Sequence, residues 1–434
     1  MTETNDALLA RHKAVLPGWQ MLYYDEPIEI VSGSGRRVSD SAGRSYLDFF
    51  GGVLTNMLGY GIPEVTDALR RQLDTGVVHT STLYLIRNQV ELAEKIARLS
   101  GIPDARVFFT NSGTEANEAA LLLATNYRRS NQILAVRNSY HGRTYATMGV
   151  TGNRTWSTSA LNPLNVSFLH SGDRMRGLLA GLSDEQHIEA AVADMREVLA
   201  TTTTGDVAAL IAEPVQGVGG FVHAPDGLFA AYRKVLDEQG ALFISDEVQT
   251  GWGRTGEHFW GYQAHGITPD LLTFAKGIGN GLALAGVVGR ADVMDSVSGI
   301  SFSTFGGNPL STAGGNAVLD YVLAHDLQGN AARVGGLLLD GLRAAAGRYG
   351  IVGDVRGKGL MLAIEFVEPG TTNPNGYATG RVFEECRRGG LLVGKGGLYG
   401  NTVRMGPPLT LTGDEAREGL EILLNAIATV DAAA

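Results

Sequence analysis

Two residues, Asp246 and Lys276, stand where apolar segments end. The run Ala241–Asp246 reads ALFISD, and Leu271–Lys276 reads LLTFAK. A carboxylate that can pair with a protonated ring nitrogen, joined with a lysine that can form a Schiff base, is the minimal kit for pyridoxal phosphate (PLP) chemistry. Either residue alone reads equally well as an acidic strand end or a solvated lysine. The company they keep decides the matter.

Four further segments supply that company. Asn111–Glu118 reads NSGTEANE, after a strand and opening a helix. Its Ser112, Gly113 and Thr114 present backbone N–H groups and hydroxyls to an anion such as phosphate, although the same residues also make an ordinary helix start. In NSYHG, Tyr140 offers an aromatic face to a planar ring, with His141 as a polar neighbour. STFGGNP offers the hydroxyl of Thr304 to a phosphate. In VRMGPP, Arg404 closes a short strand in an acidic chain and suits bidentate pairing with a carboxylate substrate.

Elements must carry these side chains to one place. Apolar runs at Arg106–Thr110, Gln132–Arg137, Asn165–His170, Val207–Glu213, Ala241–Asp246, Leu271–Lys276 and Leu284–Gly289 alternate with helix-period segments. Those helices are expected near Thr114–Arg129, Asp184–Ala200 and Gly227–Gln239. Continuous apolar strands separated by helices imply a mostly parallel sheet covered on both faces, with ligands beyond the carboxyl ends of the strands. Thr110, Glu213, Asp246 and Lys276 all stand at such ends.

The C-terminal part changes character. Pro309–Gly350 reads as helix with an interruption near Gly335. Gly353–Phe366 reads as a hairpin, Tyr377–Arg388 as a helix, Leu391–Val393 and Val403–Met405 as short strands, and Gly413–Thr429 as a closing helix. Strands Ile28–Val31, Arg37–Asp40 and Tyr46–Phe49, with turns at Ser32–Gly35 and Ser41–Gly43, are expected to join this second, α+β unit. The expected division is an N-terminal segment over 1–60 joining the small domain, a large domain over 61–315 and a small domain over 316–434.

Composition narrows the function classes. The chain has 434 residues, enough for two domains and a sizeable core. Its 35 Lys and Arg against 45 Asp and Glu give a net charge of −10, which disfavours nucleic acid and anionic membranes as partners. Cys386 is the only cysteine, so an intramolecular disulfide is excluded and a reducing, cytoplasmic setting fits. The N-terminal stretch lacks a signal-peptide pattern, and no apolar window is long enough to span a bilayer. No metal is called for.

Together, SGTEANE, YHGRT, AEPVQGVGG, SDEVQTGWGRTG, FAKGIGNG, STFGGNP and RMGPPLTLT resemble the class-III aminotransferases, PLP enzymes of fold type I. YYDEPIEIVSGSGRRVSDSAGRSYLDFFGG, STFGGNP and KGGLYGN resemble most of all their alanine–glyoxylate and β-amino acid:pyruvate branch. The resemblance runs from about Tyr23 to the closing helix. It implies that Lys276 anchors PLP covalently, that Asp246 pairs with the ring nitrogen and that Gln249 contacts the ring's phenolic oxygen. It further implies that Gly113 and Thr114, with Ser112 beside them, hold the phosphate, and that Tyr140 stacks on the ring with His141 in the same cofactor site. Thr304 would reach the phosphate of a neighbouring subunit, making a homodimer or higher oligomer obligatory. Arg404 would bind the substrate carboxylate, Glu213 would contact or mask it for ω-amino acids, and Tyr24 would belong to the same substrate side. The implied reaction is a ping-pong transfer from an amino acid, β- or ω-amino acids included, to a 2-oxo acid such as pyruvate, glyoxylate or 2-oxoglutarate.

Other readings stay open at this point: a 4-aminobutyrate or ornithine type, a decarboxylase, racemase, aminomutase or lyase on the same fold, or a binding protein on the same scaffold. One departure stands out. The family often carries Gly-His-x-x-Pro where this chain reads LGYGIPEV, with Tyr60, Gly61 and Ile62 in that place. A substrate-side role for this loop does not carry over.

Overall fold

The computed structural model describes residues 5–433. Near the N-terminus, β1 (Ile30–Ser34), β2 (Arg37–Asp40) and β3 (Ser45–Asp48) form an antiparallel meander. The first turn is tighter than the Ser32–Gly35 reading, because Ser34 pairs directly with Arg37. Gly33 stays inside the strand, where a Cβ would stand 2.6 Å from the ring of Tyr60.

The large sheet takes its strands from the middle of the chain: β4 (Ala105–Thr110), β5 (Gln132–Val136), β6 (Asn165–Leu169), β7 (Val207–Ala212), then, past the small hairpin β8 (Val215–Gln216) and β9 (Val222–His223), β10 (Leu242–Asp246), β11 (Leu271–Phe274) and β12 (Ala285–Arg290). Their order is β4-β12-β11-β10-β7-β5-β6. The pairs β10–β11, β10–β7, β5–β7 and β5–β6 are parallel. β12 runs antiparallel to both of its neighbours. Every residue of β5, β7, β10 and β11 is buried, as expected of central strands covered on both faces. Helices Gly113–Arg128, Asp184–Thr201 and Leu228–Gln239 connect them, close to the expected bounds.

Helices Pro309–Ala324 and Leu327–Ala346 follow. The break between them falls at Asp326, not near Gly335. Asp326 adopts φ +47° and caps the second helix by accepting from the Gly329 N–H at 3.1 Å. Gly335 lies inside that helix, where a Cβ would overlap the carbonyl of Gly359; the glycine serves close packing rather than helix termination. The C-terminal strands are β13 (Val352–Lys358), β14 (Met361–Phe366), β15 (Leu391–Leu392), β16 (Gly394–Gly396) and β17 (Thr402–Met405). One sheet runs β13-β14-β17-β16, and β15 pairs in parallel with β3 of the N-terminal meander. Helices Gly376–Arg388 and Gly413–Asp431 complete this part. The fold is α/β, with the helix-covered, mostly parallel sheet of fold-type-I PLP enzymes. Among the described residues no helix is long and apolar enough to cross a membrane.

Candidate active site

A cavity of about 200 Å³ opens beyond the carboxyl ends of β5, β7, β10 and β11, and Gly113, Thr114, Tyr140, His141, Glu213, Asp246, Gln249 and Lys276 all line it. The location follows from topology: in such sheets the loops leaving the strand ends converge outside the edge.

Asp246, the last residue of β10, is buried and held on three sides. Its Oδ2 accepts from Asn117 Nδ2 at 2.7 Å and from His141 Nδ1 at 2.8 Å, and its Oδ1 accepts from the Val248 N–H at 3.1 Å. The His141 bond places that ring's proton on Nδ1. Asn117 is itself pinned, donating to the His141 carbonyl at 2.8 Å and accepting from Thr273 Oγ1 at 2.7 Å. Asn117 escaped the sequence reading although it lies within NSGTEANE. Its spacing of four from Gly113 was the available signal, since i and i+4 share a helix face.

Lys276 begins the short 3-10 turn after β11 with φ +51°, a left-handed conformation that costs a residue with a Cβ. Withdrawal from bulk water lowers its pKa to about 8; the charges of Asp246 and Glu213 oppose that shift, and Arg404 adds to it.

The phosphate-side residues are arranged by the helix that starts at Gly113. Ser112 is the N-cap, its side chain accepting from the Glu115 N–H at 3.2 Å. A Cβ on Gly113 would stand 3.0 Å from the Val248 side chain, so glycine lets the helix end approach the Asp246 loop. Thr304 lies elsewhere, exposed on the loop between Ser303 and Phe305 and outside its own chain's cavity.

Glu213 follows β7 and is buried. Its Oε1 accepts from the Tyr140 N–H and its Oε2 from the Gly217 N–H, each at 2.8 Å. Burial raises its pKa to about 7, eased by His141 and worsened by Asp246. Arg404, on β17, is also buried. It donates to the Gly217 carbonyl at 2.8 Å and twice to the Lys395 carbonyl, at 3.2 and 2.9 Å. The rings of Phe50 and Phe221 flank its guanidinium at 5.5 and 5.4 Å. Glu213 and Arg404 form no ion pair in this structure, so the expected masking contact is replaced by a shared neighbour, Gly217.

Tyr24 is not brought to the cavity. Its ring stacks on Phe383 at 4.5 Å and its phenol is pushed up by burial, with Cys386 and Asp48 adding to the effect. The adjacent Tyr23 instead lies near enough to Arg404 to favour its charged form, and its ring is 5.6 Å from the Phe50 ring. Two residues at the mouth also escaped the sequence reading. Trp156 meets Tyr140 edge-on at 5.5 Å, and exposed Arg143, in YHGRT, lies 5.7 Å from the Trp19 ring while its charge counters the upward shift of the Tyr140 phenol.

PLP fits this set of groups. The buried Gln249 amide has its Oε1 end without a partner, so it is free to turn its NH₂ toward a ring oxygen, and Gly217 makes room for that side chain, because a Cβ there would overlap it. The helix end of Gly113 and Thr114 suits a phosphate, the Asp246 carboxylate suits a pyridinium nitrogen, and the Lys276 amine lines the same cavity.

Comparison with known proteins agrees. Residues 23–427 match the family described as aminotransferase class-III. An Arabidopsis thaliana protein named alanine–glyoxylate aminotransferase 2 homolog 2, mitochondrial, is 39% identical over 95% of this chain and 85% of its own length. A 5-aminovalerate aminotransferase of Pseudomonas putida is 36% identical over 99% of this chain and 100% of its own. The crystal structure of an (S)-enantioselective omega-transaminase from Thermomicrobium roseum superposes with a TM-score of 0.91 at 32% identity, covering 99% of this chain and 100% of that one.

Proposed function

Because the chain belongs to the class-III aminotransferase family, we propose that it moves an amino group from a β- or ω-amino acid to a small 2-oxo acid, pyruvate or glyoxylate foremost, with 2-oxoglutarate a further acceptor. The chain is a PLP-dependent transaminase that acts between an amino donor and a 2-oxo acid. The observation that carries the finer reading is the convergence of Lys276, Asp246, Glu213 and the Gly113 helix end on one cavity, with the Arg404 guanidinium behind Gly217. The Pseudomonas relative, named for an ω-amino acid, and the Arabidopsis relative, named for alanine and glyoxylate, support it.

PLP supplies the covalent link to the substrate amine and the electron sink. Lys276 would anchor it, and its amine, once released, would take and return a proton at the substrate carbon; a pKa of about 8 leaves a useful share of the amine neutral in mildly alkaline water. Asp246, fixed by Asn117 and His141, would hold the ring nitrogen protonated. Tyr140 would cover a ring face and Gln249 would meet the ring's phenolic oxygen. Arg404 receives the carboxylate of the oxo acid, and Glu213 balances Arg404 when the donor's carboxylate lies elsewhere. Arg143 at the mouth is a second cation for the remote carboxylate of an ω-amino acid. Thr304 completes the phosphate site of a second copy, so the working unit is a homodimer. A cytoplasmic location suits the single, buried Cys386.

A half-reaction tests the proposal. Loaded enzyme mixed with a β- or ω-amino acid alone should release one equivalent of carbonyl product per site and then stop, and pyruvate or glyoxylate should restart it. Lys276→Ala should abolish both phases. Racemisation, elimination or decarboxylation without a stoichiometric amino transfer would reject it.

A further inference from the structure

The loop that departs from the family pattern holds an unusual piece of backbone in place. Tyr60 donates its hydroxyl to Asp48 Oδ2 at 2.6 Å and accepts from Asn56 Nδ2 at 3.0 Å. Burial and the Asp48 charge push its phenol up, so the hydroxyl stays a donor at working pH. The other Asp48 oxygen accepts from the N–H groups of Phe50 and Gly51, both at 2.8 Å.

Those two amides open a turn in which Gly51, Gly52, Val53 and Leu54 are all left-handed, with φ of 56°, 60°, 65° and 63°. Glycine adopts this freely, but the Cβ of valine and leucine opposes it, and a β-branched residue opposes it most. Such a run persists only where its surroundings over-determine it. Here the Leu54 N–H donates to the Phe50 carbonyl and the Thr55 N–H to the Gly51 carbonyl, both at 2.8 Å, while Asp48 caps the start. The turn delivers the Phe50 ring to within 5.5 Å of the Arg404 guanidinium. The ring presses on Gly394, where a Cβ would overlap it, and Gly394 faces Arg404 across β16 and β17.

We propose that Tyr60 is a positioning residue for the carboxylate-binding end of the site: its hydroxyl holds Asp48, Asp48 holds the left-handed turn, and the turn seats Phe50 against Arg404. Tyr60 touches no substrate and acts through Phe50. The inference rests on Arg404 as the carboxylate clamp. It follows from the demands of a bidentate fork, which loses its partner through small misplacements.

Tyr60→Phe keeps the ring over Gly33 and removes only the hydroxyl. In the PLP-loaded enzyme it should raise KM for pyruvate about fivefold, while the rate of amine consumption from 1-phenylethylamine, which carries no carboxylate, stays within about twofold. Phe50→Leu should show the same selectivity, and the double variant should lose little more than the worse single one. An unchanged pyruvate KM, equal losses for acceptor and amine, or additive losses in the double variant would each overturn the proposal. Should Tyr60→Phe not fold, Phe50→Leu alone decides, and an unchanged pyruvate KM there overturns the route. Arg404→Lys measured alongside separates two failures: a selective loss there with none in Tyr60→Phe rejects only Tyr60, whereas no selective loss in Arg404→Lys rejects the carboxylate clamp itself.

Discussion

Glu213 and Arg404 grip one residue from its two ends. The N–H of Gly217 donates to the Glu213 carboxylate and its carbonyl accepts from the Arg404 guanidinium, each at 2.8 Å. Both charges are buried, yet neither has the other as a direct partner. Burial therefore dominates both shifts, raising Glu213 to about 7 and lowering Arg404 from its usual value. An arginine whose donors end on carbonyls is poised for a carboxylate, since exchanging a neutral acceptor for a charged one strengthens the bond. Under the proposed function, the glutamate on the far side of Gly217 would be the stand-in when no substrate carboxylate arrives.

Arg404→Lys should accordingly harm oxo-acid acceptors far more than carboxylate-free amines. Lysine keeps the charge but loses the fork, and it also loses the paired donation to the Lys395 carbonyl. We expect kcat/KM for pyruvate to fall about 100-fold, in line with the ~2–3 kcal/mol of a charge-assisted hydrogen bond. Half-reaction kinetics check this; equal losses for pyruvate and for 1-phenylethylamine would remove Arg404 from the carboxylate site.

The pKa of Lys276 sets a pH window. Its folded value, about 8, lies below the ordinary 10.5, so the folded apoprotein binds fewer protons than the unfolded chain between those values. Stability of the apoprotein should therefore rise with pH across that window. Capture of PLP, which needs the neutral amine, should follow an ionisation near 8. Stopped-flow absorbance of PLP capture against pH checks the second point, and a midpoint near the ~10.4 of an unperturbed lysine would show that the burial effect is absent.

The site was legible in the sequence where an apolar run ended on a residue with chemistry. Asp246, Lys276 and Glu213 each follow that rule, because a buried parallel strand must be apolar and its carboxyl end must meet the ligand. What stayed hidden needs three dimensions. Leu284–Gly289 reads the same in either direction, so the antiparallel course of β12 was not visible. Tyr23 and Tyr24 are adjacent and both rings meet Phe383, so composition alone could not select the one that faces Arg404. Beyond its spacing from Gly113, nothing in the sequence marks Asn117, whose role depends on the distant His141 and Asp246 meeting it. Asp326, a non-glycine residue, ends one helix in a left-handed conformation, whereas Gly335, which looked like the break, fills a packing role.

Asp246→Asn should cost catalysis more than folding, though not leave folding untouched. An amide cannot hold the ring nitrogen protonated as a carboxylate does, so the electron sink weakens. The same change sets an NH₂ among the donors Asn117, His141 and the Val248 N–H, whichever way the amide is turned. We expect a rate loss on the order of 10³-fold or more, with about 1–3 kcal/mol of destabilisation from the clash of donors. Exchange of the substrate α-deuterium, together with a denaturant titration, separates the two effects. Normal exchange in the Asn variant would show that Asp246 does not control the ring nitrogen.

Thr304 offers a test of the proposed homodimer. It sits exposed outside its own cavity, next to Phe305, whose ring lies 5.1 Å from that of His79. The two segments also join where the Leu310 N–H donates to the Val78 carbonyl at 3.3 Å. Around them Leu83, Tyr84, Leu85, Ile300, Phe302 and Phe305 are all exposed. So many large apolar side chains facing water along joined loops argue for cover by another molecule, and under the proposed homodimer a second copy would bring Thr304 to its partner's phosphate site. Thr304→Asp should then weaken PLP retention by setting a negative charge against the phosphate. Subunits bearing Thr304→Asp and subunits bearing Lys276→Ala are each crippled, but in a mixed dimer one site takes its lysine from the first and its threonine from the second. Equal mixing with free exchange makes half the dimers mixed, each with one intact site, so activity should return to about a quarter of wild type. Mass spectrometry confirms the exchange, and an exchanged mixture that stays as inactive as its parents would exclude Thr304 from the neighbouring site.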